Sequence, residues 1–225
     1  MSSQFSLIID FDSTIVGLET LECLAEITLS KHKNKTEIIN KISNYTNLAM
    51  NGQISFEKSL EVRLNLMNIN RNHIVQLIKK ISKNFDQSFS ENLDFFKKNS
   101  SNIYIVSGGF QSIIESVMLS TTNFKWNIFA NNFIFNEENK LIGINRDNPL
   151  AHSFGKVKLI KSLNLKNDII VVGDGYTDYE IKKHNVAKYF LAYTKHVQRD
   201  NIICNADKIC TNFHQVINFL NQNYF

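Results

Sequence analysis

Three segments of this chain share one design, and together they restrict what it can fold into. "FSLIID" ends at Asp10, "NIYIVSGG" reaches its polar end at Ser107, and "DIIVVGDG" ends at Asp174. Each is an apolar, β-branched run that stops at small or acidic residues and is followed by a helical pattern. Continuous apolar runs of this length suit parallel strands buried on both faces. An open α/β sheet of such strands gathers their polar ends at its carboxyl edge, where ligands bind. "AKYFLAY" (187–193) is a fourth strand candidate. "WNIFANNFIFNEENKLIGIN" alternates around "NEEN" and predicts a β-hairpin.

The spacing between these runs is uneven. Asp12 and Ser107 are 95 positions apart, whereas a βαβ unit needs only about 30 residues. The excess has helical periodicity over residues 20–30, 36–50, 55–67 and 71–82. A helical insertion after the first strand follows, spanning 17–84 and returning near residue 85. It is expected to cap the carboxyl edge of a core made of 1–16 and 85–225.

Composition removes several classes. With 225 residues, 43% apolar and 20% charged, the chain reads as globular and able to bury a full core. No apolar stretch is long enough to span a bilayer. The start "MSSQFSLIID" lacks the basic n-region of a signal peptide. Cys23, Cys204 and Cys210 form no CxxC pair and suit reduced thiols, so a cytoplasmic location is expected. A net charge of +4 in scattered short runs gives no support for nucleic acid, and suits a small anionic substrate.

Four stretches carry chemistry. In "DFDST", Asp10 and Asp12 are two positions apart, and on a strand that spacing puts both side chains on one side. They can share a hard cation or divide nucleophile and acid roles. A calcium loop fails, because Ile15 and Leu21 stand where it requires Gly and Glu. A nucleotide-sugar DxD lacks any companion nucleotide motif, and a plain Asx-turn remains open. In "VSGGF", Gly108 and Gly109 allow close approach of an oxyanion, and Ser107 adds a hydroxyl; an ordinary capped turn reads the same way. Lys156 falls in the first turn of a helix that Ser153 is expected to cap. A cation there opposes the helix dipole, which suggests a nearby anion. "GDGYTD" puts Asp174 at a strand end, with Asp178 at the start of a helix where it can cap.

The set "DFDST", "VSGGF", Lys156 and "GDGYTD" resembles the four ordered motifs of the haloacid dehalogenase superfamily, closest to its phosphoserine phosphatase branch. "MNGQISFEKSLEVRLNLM" resembles that branch's cap. The resemblance implies a Rossmann-like parallel sheet with a helical cap, and a Mg²⁺-dependent hydrolase acting on O-phospho-L-serine in serine biosynthesis. It implies Asp10 as nucleophile and Asp12 as general acid/base. Mg²⁺ would be held by Asp10, Asp174 and the backbone carbonyl of Asp12. Ser107, Gly108, Gly109 and Lys156 would bind phosphate, with Asp178 supporting metal and lysine from behind.

Within the cap, Phe56, Leu60, Arg63 and Met67 share one helical stripe. An arginine on an apolar stripe either snorkels to water or meets a buried anion. The resemblance makes it the partner of the substrate carboxylate. It makes Glu19, which otherwise reads as a first-turn acid favoured by the helix dipole, the partner of the ammonium. Met50 and Phe56 would exclude water. Thr177 stands where many members have Asn, and its hydroxyl could donate to phosphate or substrate. The alternatives are another small phosphomonoester, phosphoryl transfer to an alcohol, or a non-catalytic phospho-ligand sensor. A monomer or homodimer without nucleic-acid or membrane partners is expected.

Overall fold

The computed structural model describes residues 5–225. The first element among the described residues is β1 (Phe5–Ile9), whose five residues are all buried. Four helices follow: α1 (Thr20–Thr28), α2 (Lys35–Met50), α3 (Phe56–Asn65) and α4 (Arg71–Ile81). Next come α5 (Gln87–Glu91), α6 (Leu93–Lys98), β2 (Ile103–Phe110), α7 (Gln111–Thr122), β3 (Asn127–Asn131), β4 (Phe133–Phe135) and β5 (Leu141–Ile144). The remainder is α8 (Gly155–Ser162), β6 (Asp168–Gly173), α9 (Tyr176–Lys183), β7 (Tyr189–Tyr193), α10 (Asp200–Ile203), β8 (Lys208–Cys210) and α11 (Phe213–Tyr224).

Six strands form one parallel sheet in the order β3-β2-β1-β6-β7-β8. Strand order reverses beside β1, which pairs with β2 on one side and β6 on the other. The crevice at the carboxyl ends of these strands is where such sheets bind ligands. The fold class read from the apolar runs is therefore the observed one.

Two expectations need correction. The segment after Trp126 does not form a single hairpin. Its first half, β3, joins the main sheet as a parallel edge strand beside β2, and only β4 and β5 pair antiparallel. Alternation cannot distinguish an edge strand from a hairpin arm, because both leave one face half exposed. Ser153 does not cap α8; the residue before that helix is Phe154, in the left-handed region at φ 59°, with no side-chain cap.

The four helices between β1 and α5 follow the predicted periods to within two residues. On α4, Ile74, Leu77 and Ile81 are buried on one face, and on α2 Ile42, Thr46 and Ala49. Asn70 caps α4 by accepting from the His73 amide, while His73 Nδ1 accepts from the Asn70 amide. The two connectors to this helical layer run side by side. Val16 bridges Phe85, the Gly17 amide donates to Asn84 O, and the Asp86 amide donates to Ile15 O.

Candidate active site

The loop after β1 turns sharply. The amides of Ile15 and Val16 both donate to Phe11 O, and Ser13 adopts φ 53°. Asp10 lies just beyond the end of β1, its amide donating to Val172 O of β6. Its carboxylate accepts from the Phe11 amide at 2.7 Å and lies 2.9 Å from Lys156 Nζ. Lys156 also donates to Asp178 at 2.7 Å. Asp178 in turn accepts from the Gly175 amide at 3.3 Å, so it both caps α9 and holds the lysine. Gly173 leaves the room for this: a Cβ there would lie 2.2 Å from Asp178 Cγ.

Burial pushes the Lys156 pKa down, but Asp10 and Asp178 outweigh it and raise the value overall, so the ammonium stays charged. Burial raises Asp178 to about 7, with Asp10 adding to the shift and Lys156 opposing it. Asp12 is held well above the usual carboxylate range, first by burial and then by Glu19 and Asp10, despite a hydrogen bond from the Thr20 hydroxyl. Asp10, Asp174 and Asp178 each present an oxygen to one point, the three atoms lying within 4.8 Å of one another. The Asp12 carboxylate is not part of that group.

A single cavity of about 30 Å³ joins these groups to the helical layer. Asp10, Asp12, Ser107, Gly108, Gly109, Lys156 and Asp174 line its core side, with Glu19, Met50, Phe56, Arg63 and Thr177 around them. Among the expected site residues, Asp178 alone lies outside this lining, directly behind Lys156. Ser107 is buried, and its Oγ accepts from the Gly109 amide at 3.0 Å. The Phe56 ring covers Gly108 so closely that a Cβ there would sit 2.4 Å from Phe56 Cζ.

Arg63 is 3% exposed. Its Nε donates to Ser59 O at 3.2 Å and its Nη1 to the Thr46 hydroxyl at 3.1 Å. Among the described residues no carboxylate reaches it at ion-pair distance, so it is a buried guanidinium facing a polar cavity. Glu19 immediately precedes α1 but does not cap it; its carboxylate accepts from the Ser13 hydroxyl at 2.8 Å.

Three strand-end motifs and Lys156 of α8 thus converge beneath a helical layer, around one cavity. No protein-family model matches the chain. It is 28% identical over 214 residues to the chloroplastic phosphoserine phosphatase of Arabidopsis thaliana, covering 94% of this chain and 70% of that protein. It is 29% identical over 216 residues to the phosphoserine phosphatase of Homo sapiens, covering 95% and 92%. A solved phosphoserine phosphohydrolase-like protein from Francisella tularensis superposes with a TM-score of 0.85 at 28% identity, covering 95% of this chain and 98% of that one. In sequence and in fold the chain is similar to members of the haloacid dehalogenase superfamily. Within that superfamily its relatives are phosphoserine phosphatases.

Arg199 escaped the sequence reading. It is 6% exposed, and its guanidinium pairs with Asp174, yet it sits in "QRDN", an ordinary polar stretch. A second buried network was equally hidden. Asp86, where the chain re-enters the core, accepts from Ser88, Phe89, Tyr193 and His196, and Lys195 pairs with it. No local pattern marks either, because their partners lie up to 110 positions away.

Proposed function

We propose that the chain is a Mg²⁺-dependent phosphatase that hydrolyses O-phospho-L-serine to serine and phosphate through an aspartyl-phosphate on Asp10. One observation carries the substrate: a cavity that holds Asp10, Asp12, Ser107 and Lys156 also holds a buried, carboxylate-free Arg63 together with Glu19. An amino-acid phosphate offers a group to each.

An Asp10 carboxylate oxygen attacks phosphorus, and the bond to the serine oxygen breaks. Asp12, its proton held by burial and by neighbouring carboxylates, gives that proton to the departing alkoxide. Asp12 then takes a proton from water as the water oxygen attacks phosphorus, which frees phosphate and restores Asp10. Lys156, the Ser107 hydroxyl and amides around Gly108 and Gly109 stabilise the phosphoryl oxygens. Thr177 is assigned a hydrogen bond to phosphate or substrate.

The donor set fits a divalent cation. Asp10, Asp174 and Asp178 present hard oxygens to one point, and Lys156 and Arg199 do not neutralise them all, since burial and mutual repulsion still raise Asp174 and Asp178. Asp10, Asp174 and the Asp12 carbonyl would hold Mg²⁺, with Asp178 behind. Bound there, the ion would neutralise charge on the phosphoryl group.

Residues 17–84 act as the cap and 1–16 with 85–225 as the core. A cavity of about 30 Å³ has room for about two waters, so substrate entry requires the cap to lift. The enzyme works in the cytoplasm, in serine biosynthesis, as a monomer or homodimer; no helix among the described residues is long and apolar enough to cross a membrane. A phosphate-release panel with Mg²⁺ tests the reading. Phosphoserine should exceed phosphothreonine, phosphoethanolamine and sugar phosphates in kcat/KM, and Asp10→Asn should abolish turnover. Faster release from phosphoethanolamine would overturn the substrate; near-normal turnover by D10N would overturn the intermediate.

A further inference from the structure

The segment between β5 and α8 carries a charged cluster that the catalytic reading leaves unused. Glu57, in the first turn of α3, accepts from His152 Nδ1 at 3.0 Å and from the Ser153 amide at 3.3 Å, and lies 3.7 Å from Arg146 Nη1. The other ring nitrogen, His152 Nε2, lies 2.7 Å from Arg146 O. Both nitrogens therefore face acceptors, a carboxylate and a carbonyl. A neutral imidazole has one N–H and can satisfy only one of them; the imidazolium satisfies both.

The segment is itself anchored to the core. Asn148 Nδ2 donates to Ala130 O at 2.7 Å, its side chain accepts from the Leu150 amide at 2.9 Å, and Asn131 Nδ2 donates to Leu150 O at 3.1 Å. Four residues beyond His152 stands Lys156, on the same run of chain. On the opposite side, Glu57 is adjacent to Phe56, the ring over Gly108, and shares α3 with Arg63.

We propose that His152, braced by Arg146, is a positioning residue that seats α3 against the core through Glu57, setting Phe56 and Arg63 over the site. This rests on the proposed phosphatase reading for its kinetic consequence, but not for the contact itself. Loosening α3 moves the groups assigned to hold substrate, while Asp10, Asp12 and Lys156 stay on the core. The effect falls on KM rather than kcat.

The seating is also pH dependent. Around His152 stand Arg146, whose charge opposes protonation, and Glu57, which favours it. The Arg146 carbonyl is the largest influence, Glu57 the next, and together they raise the His152 pKa above its usual value of about 6.5. Because the folded value is raised, the contact is complete below about pH 6.5 and is lost as pH rises through the raised value.

Two measurements test this on the full chain. Hydrogen exchange over residues 55–65, corrected for intrinsic rates, should show wild-type protection falling at least threefold between pH 6 and pH 8.5. His152→Ala should show the weaker protection at both values. His152→Gln, with a single donor nitrogen and no charge, should recover part of the protection but none of its pH dependence. In steady state, H152A should raise KM for phosphoserine several-fold at pH 6, change kcat less than twofold, and converge on wild type at pH 8.5. Wild-type-like exchange in H152A at both pH values would overturn the proposal, as would parallel KM profiles. If no variant or wild type releases phosphate from phosphoserine, the functional reading fails while the exchange experiment still decides the contact.

Discussion

Arg63→Ala is the sharpest perturbation of substrate recognition. The guanidinium is 3% exposed and spends two donors on Ser59 O and the Thr46 hydroxyl. A substrate carboxylate would take further N–H groups, in hydrogen bonds between charged partners worth about 1.5–3 kcal/mol each. Removing the side chain should therefore cost about 3 kcal/mol, or roughly 150-fold in kcat/KM for phosphoserine. The fold should tolerate the loss. Two hydrogen bonds disappear, but so does the desolvation of a buried cation without a carboxylate partner, leaving stability within about 1 kcal/mol of wild type. The assay is phosphate release from phosphoserine and from p-nitrophenyl phosphate, beside a thermal melt. The second substrate has no carboxylate, and its kcat/KM should fall less than about threefold, since its loss includes none of those charged hydrogen bonds. Equal losses on both substrates with an unchanged melt would refute the assignment of Arg63 to the carboxylate.

Three other outcomes follow from the geometry. Gly108→Ala puts a Cβ 2.4 Å from Phe56 Cζ and 2.7 Å from Cε2, so the ring must move; kcat/KM should fall at least about tenfold, and adding Phe56→Ala should recover part of the loss. Chelation by EDTA should reduce phosphate release to background, Mg²⁺ should restore it, and the melting temperature should rise with added Mg²⁺ as the ion binds the folded state; full activity after chelation would exclude the metal role given to Asp10 and Asp174. Asp86→Ala should destabilise the fold by about 3 kcal/mol, because the buried Tyr193 hydroxyl and the Ser88 amide and hydroxyl lose their acceptor. Burial alone would raise the Asp86 pKa, but hydrogen bonds from His196, Ser88, Tyr193 and Lys195 outweigh it and hold the value below the usual range. A depressed carboxylate stabilises the fold fully above its unfolded value of about 3.9, and that share is lost as pH falls below it. Urea titrations between pH 3 and 7 should therefore show wild type losing stability at the acid end, with a shallower slope in D86A.

The parts of this molecule that could be read from sequence are those in which a residue's own neighbours dictate its place. β1, β2 and β6 are short apolar runs that stop at polar residues, and their stops are where Asp10, Ser107 and Asp174 emerge. Glycines beside those stops indicate where chain must pass close to something else, and Gly108 under Phe56 and Gly173 beside Asp178 are instances. The stripe containing Arg63 was legible because a cation among core positions conflicts with burial unless an anion is expected. Glu19 read as helix punctuation, and its bond to Ser13 instead of the α1 amides shows that a first-turn acid need not cap.

What escaped was long-range pairing. β3 alternates like a hairpin arm, and only its partner β2 makes it a parallel edge strand. Arg199 and Asp174 are 25 positions apart, His196 and Asp86 110, and His152 and Glu57 95. In each case a polar side chain with no local signature is given meaning by what the fold sets opposite it. The three pairs sit at three places where the molecule must not slip: the acidic cluster, the connectors to the helical layer, and the outer seam between that layer and the core. Local pattern thus carries the groups assigned to chemistry, while long-range ion pairs hold the surfaces on which those groups meet. Arg63→Ala should therefore change turnover with little change in the melt, and substitutions at Asp86 should do the reverse.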